Sequence, residues 1–423
     1  MKQDKIVVVS PLEGRLRGVI ILLLLLLTTI TQAQNELDSY LKIAADNNPG
    51  LKAQFNDYMA AMEKVPQVSA LPDPKVAFGY FIQTPETRVG PQNWNVSLTQ
   101  QFPWFGLLKS QGDAATQFAR AKYEVFENAK SNLFFEVKTT YYNFYYVDKA
   151  IQITRENLAI LQTFKSISLV KIEVGKSTVA DELRVELEIN DLENQLLLLL
   201  DKKSTLQVKF NDLLNQEVLL LSPESLWIDD MPYEKQVVLD SILLANHTLK
   251  SIDFKLNAFT AKERAAKKMG MPKFGVGVGY TSVGDRANFS GSENGKDILM
   301  FPMVSVSIPL YRKKYAAMIR EAQYQQESQT NLKVEVKNKL TTVYENTNTE
   351  FKDADRRIKL NQKQGELAKK ALDILMISYS TDAKDFDEVL RMERQLLKYK
   401  LEKEKAITDK NAAVAFTYYL LGR

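Results

Sequence analysis

Four carboxylates lie close together near the end of the sequence, at Asp382, Asp385, Asp387 and Glu388. Carboxylates gathered at a constriction select cations or bind them as a plug. Carboxylates at the start of a helix are also favoured by the helix dipole. The sequence therefore leaves open a cation-facing role and a purely local one, with Asp385 and Asp387 the strongest candidates for the first.

Catalytic chemistry has little support in the composition. The chain has no Cys and a single His, which excludes a Cys nucleophile, disulfides and the usual zinc and catalytic sets. A net charge of +4 in 423 residues gives no argument for nucleic-acid binding. We predict a protein that is not an enzyme and that uses no cofactor or resident metal.

Two turns stand out between long helical patterns. At the first, Gly175 most simply supplies the change of direction, and Thr178 with Asp181 fits a capping box. The second has Ser380 and Thr381 directly before Asp382. Thr178 and Asp181 either only cap a helix or also present a surface to a partner, and the sequence does not separate these two roles.

The elements around these turns are predicted to be very long helices. Residues 106–174 and 310–379 contain no Pro, and their apolar positions step by three and four, which indicates coiled coil. At a rise of 1.5 Å per residue each would span roughly 100 Å, a reach suited to crossing a periplasm. Return helices are predicted at 178–213 and 384–420, and shorter helices at about 36–65 and 238–268.

Four segments alternate with period two and predict strands. They contain Val76 to Ile82, Asn93 to Phe102, Phe274 to Thr281, and Val304 to Ile308. One face is apolar, whereas the other is small or polar and mostly uncharged, which favours a membrane barrel over a sheet on a soluble core. Four strands cannot close a barrel and open edges are not tolerated in lipid. Three chains would supply twelve strands, so we predict a homotrimer.

The same order of elements occurs twice, which defines the predicted organisation. Residues 34–213 and 238–423 each read as helix, β-hairpin and long helical hairpin, and 214–237 reads as a connector between them. Before them, basic residues precede the apolar run Val19–Ile30 and a small-residue site at Ala33. A membrane anchor needs about 20 apolar residues, so we predict a signal peptide over residues 1–33.

Several stretches carry a resemblance to a known family. They are Leu71-Pro72-Asp73-Pro74, Gln101-Phe102-Pro103-Trp104-Phe105-Gly106, Ile308-Pro309-Leu310, Val174 through Asp181, and Tyr379 through Leu390. Their order, spacing and duplication make the chain similar to the TolC family of outer-membrane efflux proteins, in its metal and multidrug efflux branch. The chain departs from many relatives in lacking an N-terminal Cys for lipidation, and its second tip lacks the family's usual Gly.

The resemblance implies a mainly α-helical trimer with a twelve-stranded barrel in outer-membrane lipid and a coiled-coil periplasmic tunnel. It also implies docking to a periplasmic adaptor, for which the tip candidates are Gly175, Thr178, Asp181, Ser380 and Thr381. The inner-membrane partner would be an RND-type pump, and the gate would lie near the carboxylates at 382–388.

We therefore expect the outer-membrane channel of a tripartite efflux system, a passive conduit from periplasm to exterior in a Gram-negative-type cell, gated at its periplasmic tip. A type I protein-secretion conduit is the alternative within the same fold, although the LPDP and FPWFG stretches lean against it. A periplasmic coiled-coil adaptor or scaffold is the alternative of another class. The substrate cannot be read from the sequence.

Overall fold

The computed structural model describes residues 36–226, 230–231, 234–287, 291–381 and 386–423. The predicted signal peptide and the gate candidates Asp382 and Asp385 lie outside the described residues. The helices are α1 over residues 36–47 and then α2 Pro49–Ser69, α3 Leu107–Glu173, α4 Val179–Leu214, α5 Lys235–Ala245, α6 His247–Met269, α7 Arg312–Thr381 and α8 Phe386–Leu420. The strands are β1 Lys75–Tyr80, β2 Glu86–Thr87, β3 Gly90–Phe102, β4 Lys273–Val283 and β5 Ile298–Ser307.

The chain forms two compact units, and both are built from separate stretches of sequence. In the described part of the chain, the first unit comprises residues up to Lys52, Glu127–Asn246 and Lys339–Arg423. The second comprises Ala53–Phe126 and His247–Asn338 and contains the whole sheet. Both units therefore draw on both of the predicted repeats. None of the described helices is long and apolar enough to cross a membrane.

The sheet is antiparallel and runs in the order β1-β3-β4-β5, with the short β2 paired to β3. Glycines on β4 allow its neighbours to approach closely. A Cβ at Gly277 would lie 2.6 Å from the Leu98 carbonyl oxygen, and one at Gly275 would lie 2.3 Å from Ser305 Oγ. The small residues on this face are thus required by packing between strands.

The fourth strand begins at Ile298, earlier than the alternation at Val304 predicts. The register of β5 against β4 shifts between Gly277 and Gly279. Such an irregularity breaks the period of two that the sequence argument depends on. Leu299, Met300 and Phe301 are three consecutive apolar residues, so apolar and polar positions do not alternate at the start of this strand. The sequence pattern therefore did not predict these residues as part of the strand.

Each shorter helix is interrupted by an asparagine rather than continuous as predicted. Asn48 separates α1 from α2; its Oδ1 accepts a hydrogen bond from the Leu51 N–H at 3.0 Å, and its Nδ2 donates to the Leu213 carbonyl at 3.0 Å. Asn246 separates α5 from α6, and its Nδ2 donates to the Leu420 carbonyl at 3.1 Å. The last carbonyls of a helix have no partner within it and need hydrogen-bond donors from elsewhere. The two asparagine amides supply such donors at the ends of α4 and α8.

The four long helices have nearly the predicted bounds and share a core in the first unit. It contains Leu158, Leu161 and Phe164 of α3, Val185, Ile189 and Leu192 of α4, Ala368, Leu372 and Tyr379 of α7, and Phe386, Val389, Leu390, Leu396 and Leu397 of α8. Within each helix these residues recur at spacings of three and four residues, which indicates coiled-coil packing. The core runs to the ends of the helices and so positions the two turns.

Candidate functional site: the tips of the long helices

The first tip is the turn between α3 and α4, and Gly175 sets its geometry. Gly175 has φ of +69°, a left-handed conformation that glycine adopts without strain. The Lys176 N–H donates to the Lys171 carbonyl at 2.8 Å, which closes the end of α3. A Cβ at position 175 would meet nothing within 4 Å. The glycine is therefore needed for its backbone angle and not for space.

Asp181 holds the start of α4. Its Oδ2 accepts hydrogen bonds from the Thr178 N–H at 3.1 Å, from Thr178 Oγ1 at 2.8 Å and from Ser177 Oγ at 3.1 Å. Burial opposes ionisation of Asp181, but the bonds from Thr178 and Ser177 outweigh it and hold the pKa of this carboxyl below its ordinary value. Thr178 and Asp181 thus form the predicted cap, and their further role as a docking surface stays a prediction.

Lys171, near the end of α3, links the first tip to the second. Its Nζ donates to the main-chain carbonyl of Tyr379 on α7 and lies 3.7 Å from the centroid of the Tyr379 ring. Burial and the nearby Lys176 lower the pKa of Lys171. A charge-assisted hydrogen bond and a cation–π contact therefore join the two helical hairpins through one side chain.

Aromatic residues surround this contact. Tyr379 and Phe386, both 3% exposed, have ring centroids 4.8 Å apart. Phe386 also meets Phe164 of α3 at 6.4 Å. The Tyr379 hydroxyl lies 3.5 Å from Ser177 Oγ, at the long limit of a hydrogen bond. The two tips are consequently held together by a small apolar cluster with Lys171 at its edge.

Two of the four carboxylates of the second tip, Asp387 and Glu388, lie among the described residues. Asp387 and Glu388 lie in the first turn of α8, where the helix dipole favours negative charge. Both are exposed, and Glu388 lies 3.6 Å from Arg391 on the same helix. Ser380 and Thr381 are the last two residues of α7. The role of these residues in gating or docking stays a prediction.

A buried carboxylate further along α8 is absent from the predicted site. Glu393 is 1% exposed; its Oε1 accepts a hydrogen bond from Asn157 Nδ2 of α3, and its Oε2 has no partner among the described residues. Burial raises the pKa of this carboxyl, although Lys400 and Asn157 oppose the rise. Glu393 lies three residues after Leu390 and four before Leu397, on the face of α8 that carries the apolar core residues. A charged residue at such a position is visible in the sequence and could have identified Glu393.

The comparisons with known proteins agree with this arrangement. Residues 40–216 match the family model described as outer membrane efflux protein. The resemblance predicted from the sequence is confirmed, and the matched residues contain β1 to β3 and the first tip. No curated protein matches the sequence.

Several solved structures resemble this chain along nearly its whole length. CusC, described in terms of folding and transmembrane channel formation, has a TM-score of 0.77 at 18% identity and covers 92% of both chains. The MtrE outer membrane channel of Neisseria gonorrhoeae, in its open state, has a TM-score of 0.75 at 17% identity, covering 91% of this chain and 88% of that one. VceC of Vibrio cholerae has a TM-score of 0.75 at 12% identity, covering 91% and 96%. These likenesses establish the fold.

Proposed function

We propose that this protein is the outer-membrane channel of a tripartite efflux system, a passive conduit whose gate is formed by the tips of the long helices. The observation that carries the proposal is the family match over residues 40–216 together with a fold shared with outer-membrane channels over 91–92% of the chain. Among the described residues, no group of three or more His, Asp or Glu side chains is placed to hold a metal ion.

The sheet supports a membrane location. One face of β1 exposes Val76, Phe78 and Tyr80 at 70%, 69% and 70%, and Val304 of β5 is also 70% exposed. A contiguous exposed apolar face of this kind marks a surface that contacts lipid or another protein. In a strand that spans a membrane, this face would be the one in contact with lipid.

The edges of the sheet support an assembly of several chains. Within one chain, β1 and β5 are terminal in the strand order, so each has a side without a partner strand in the described sheet. Such edges cannot face lipid. Pairing β5 of one copy with β1 of the next, three times around an axis, closes a barrel of twelve strands and makes the functional unit a homotrimer.

The tips support a role in docking and gating. In the proposed trimer the exposed turn around Gly175, with Thr178 and Asp181, and the end of α7 at Ser380 and Thr381 meet a periplasmic adaptor, which connects the channel to an inner-membrane pump of the RND type. Lys171 ties α3 to α7 within each chain. Opening then requires that this link be loosened.

The two alternatives differ in what supports them. A periplasmic adaptor does not fit a chain that shares its fold with outer-membrane channels over nearly its full length. A type I secretion conduit has the same architecture, but none of the contacts described at the tips favours a polypeptide cargo. Efflux of small solutes therefore remains the function that we propose.

The proposal predicts a cation-selective channel whose selectivity depends on the second tip. The mature protein, added to a planar bilayer between asymmetric KCl solutions, should give discrete conductance steps with a reversal potential that favours K⁺. Replacing Asp385→Asn and Asp387→Asn together should shift that potential towards zero, because carboxylates at a constriction concentrate cations.

Asp191→Asn provides the control, since Asp191 is an exposed carboxylate of α4 away from the tip. It should leave the reversal potential unchanged. Absence of any conductance from correctly assembled protein would contradict the channel proposal. Normal conductance with the same selectivity in the double variant would contradict only the acidic gate.

A further inference from the structure

Exposed lysines surround the place where the sheet meets the helices. We call this surface the basic junction and define it by two groups of residues. The exposed lysines are Lys75, Lys109, Lys273, Lys313 and Lys314, and the exposed apolar residues are Phe105, Leu310 and Tyr311. All belong to the second compact unit.

The strand register places these residues at a single end of the sheet. β1 begins at Lys75, β3 ends at Phe102, β4 begins at Lys273 and β5 ends at Ser307. Phe102 pairs with Phe274, and Lys273 pairs with Ser307. The remaining members lie within a few residues of these strand ends, at the starts of α3 and α7. The basic junction is therefore one continuous region of the fold.

Three other cations hold this region together. Lys268 Nζ donates to the Gly106 carbonyl at 3.0 Å and to Ser110 Oγ at 3.1 Å. Arg312 donates to the Gly270 carbonyl at 2.9 Å, and Lys267 pairs with Glu263 at 2.8 Å. The contacts of Lys268 and Arg312 join the end of α6 to the starts of α3 and α7, whereas the Lys267 pair lies within α6. The two joining contacts fix the backbone near Lys109, Lys313 and Lys314.

The five lysines of the basic junction have no such partners. Residues 70–75, 102–113, 267–274 and 307–315 together contain eight basic and two acidic residues, Asp73 and Asp113. Within the described part of the chain, no side-chain hydrogen bond or ion pair involves Lys75, Lys109, Lys273, Lys313 or Lys314. This end of the sheet consequently presents a local excess of positive charge towards its surroundings.

The apolar residues distinguish this surface from an ordinary solvated one. Phe105 is 80% exposed, Leu310 77% and Tyr311 84%, and each lies within four residues of one of the exposed lysines. A purely solvated face gains nothing from such residues. Aromatic rings and lysines together are typical of the membrane–water interface, where rings enter the head-group level and ammonium groups reach phosphate. The apolar face of the strands leads directly to this level.

We propose that the basic junction binds the phosphate head groups of anionic phospholipids in the membrane leaflet nearest the helices. The inference rests on the proposed function, since it takes the strands to span a membrane. The lysines supply charge complementarity to an anionic lipid surface, while Phe105 and Tyr311 fix the depth at which the sheet meets that surface.

Two of the three tryptophans allow lipid contact to be measured at separate levels. Trp94 shares the apolar face with Val96 and Leu98 of β3, and Trp104 stacks on Phe274 at the junction, with ring centroids 6.0 Å apart. One mature protein would keep only Trp94 and another only Trp104, the remaining tryptophans being replaced by phenylalanine. Each is reconstituted in vesicles with brominated phosphatidylcholine or brominated phosphatidylglycerol, and quenching gives the relative association of the two lipids.

We expect phosphatidylglycerol to be favoured at least about threefold at Trp104, and the preference to fall at high salt because exposed charges are screened. The triple variant Lys109→Gln, Lys313→Gln and Lys314→Gln should reduce the ratio to about one. The matched control Lys202→Gln, Lys363→Gln and Lys370→Gln removes exposed lysines of α4 and α7 elsewhere and should keep it.

The two reporters separate failure of this inference from failure of the proposed function. If Trp94 is quenched by both lipids but Trp104 shows no preference, or the same preference in both triple variants, the lipid site is refuted and the channel proposal stands. If no brominated lipid quenches Trp94, the strands do not enter the bilayer, and both proposals are contradicted.

Discussion

Replacing Lys171→Met should increase the open probability of the channel about tenfold. The substitution keeps the aliphatic length but removes the hydrogen bond to the Tyr379 carbonyl and the cation above the Tyr379 ring. A hydrogen bond to a charged group contributes about 1.5–3 kcal/mol, and a cation–π contact about 0.5–1 kcal/mol at an exposed site. The Lys171 side chain is partly exposed and water solvates its charge when the link breaks, so the net is smaller than the sum of these two values. We take about 1.4 kcal/mol, which corresponds to about tenfold.

Single-channel recording in planar bilayers measures the open probability. Two further variants separate the contribution of the hydrogen bond from that of the cation–π contact. Lys171→Arg keeps a cation and donors and should stay close to the parent. Tyr379→Leu keeps the carbonyl acceptor but loses the ring, so it should give a smaller rise than Lys171→Met.

The matched control for this prediction is Lys176→Met, which removes the same charge from an exposed residue of the same tip. Its open probability should be unchanged. An increase of similar size in Lys171→Met and Lys176→Met would assign the effect to the charge of the tip. Normal gating in Lys171→Met would show that the link between α3 and α7 does not hold the gate closed.

Replacing Glu393→Gln should stabilise the tips at alkaline pH and have little effect in acid. Glu393 is buried with one oxygen unpaired, and an unsatisfied buried polar group costs about 1–3 kcal/mol. Since its folded pKa lies above the ordinary value of 4.5, the folded state favours the protonated carboxyl. Wild-type stability is thus complete below pH 4.5 and is lost as pH rises through the folded pKa.

Hydrogen exchange of the amides in residues 386–397, corrected for intrinsic rates, checks this prediction. At pH 8 exchange should be at least about fivefold slower in Glu393→Gln than in wild type, as expected for about 1 kcal/mol, and near pH 4 the two should agree. Glu350→Gln, which changes an exposed glutamate of α7, should match wild type throughout. A difference that does not vary with pH would mean that the charge of Glu393 is not the cause.

The sequence predicted the long helices well because their signals extend over many turns. The tracks through Leu158, Leu161, Leu372 and Leu390 repeat the same spacing, so local exceptions hardly affect the result. The breaks at Asn48 and Asn246 were missed because each depends on a carbonyl far along the chain, at Leu213 and Leu420. A pattern within one helix does not contain that information.

The site was predictable where it depends on local backbone chemistry. Gly175, Thr178 and Asp181 could be found because a turn and a cap are encoded within a few residues. Lys171 could not be found in this way, because a lysine in the last turn of a helix is ordinary and its partner Tyr379 lies 208 residues away. Glu393 could have been found by asking which charged residue falls on the apolar track.

Electron microscopy of the detergent-purified mature protein tests the central claim most directly. A threefold particle with a continuous lumen, to which each chain contributes the strands β1, β3, β4 and β5 of a closed barrel, is the predicted result. Monomers, or rods of paired helices without a lumen, would contradict the proposal that this chain forms an outer-membrane channel.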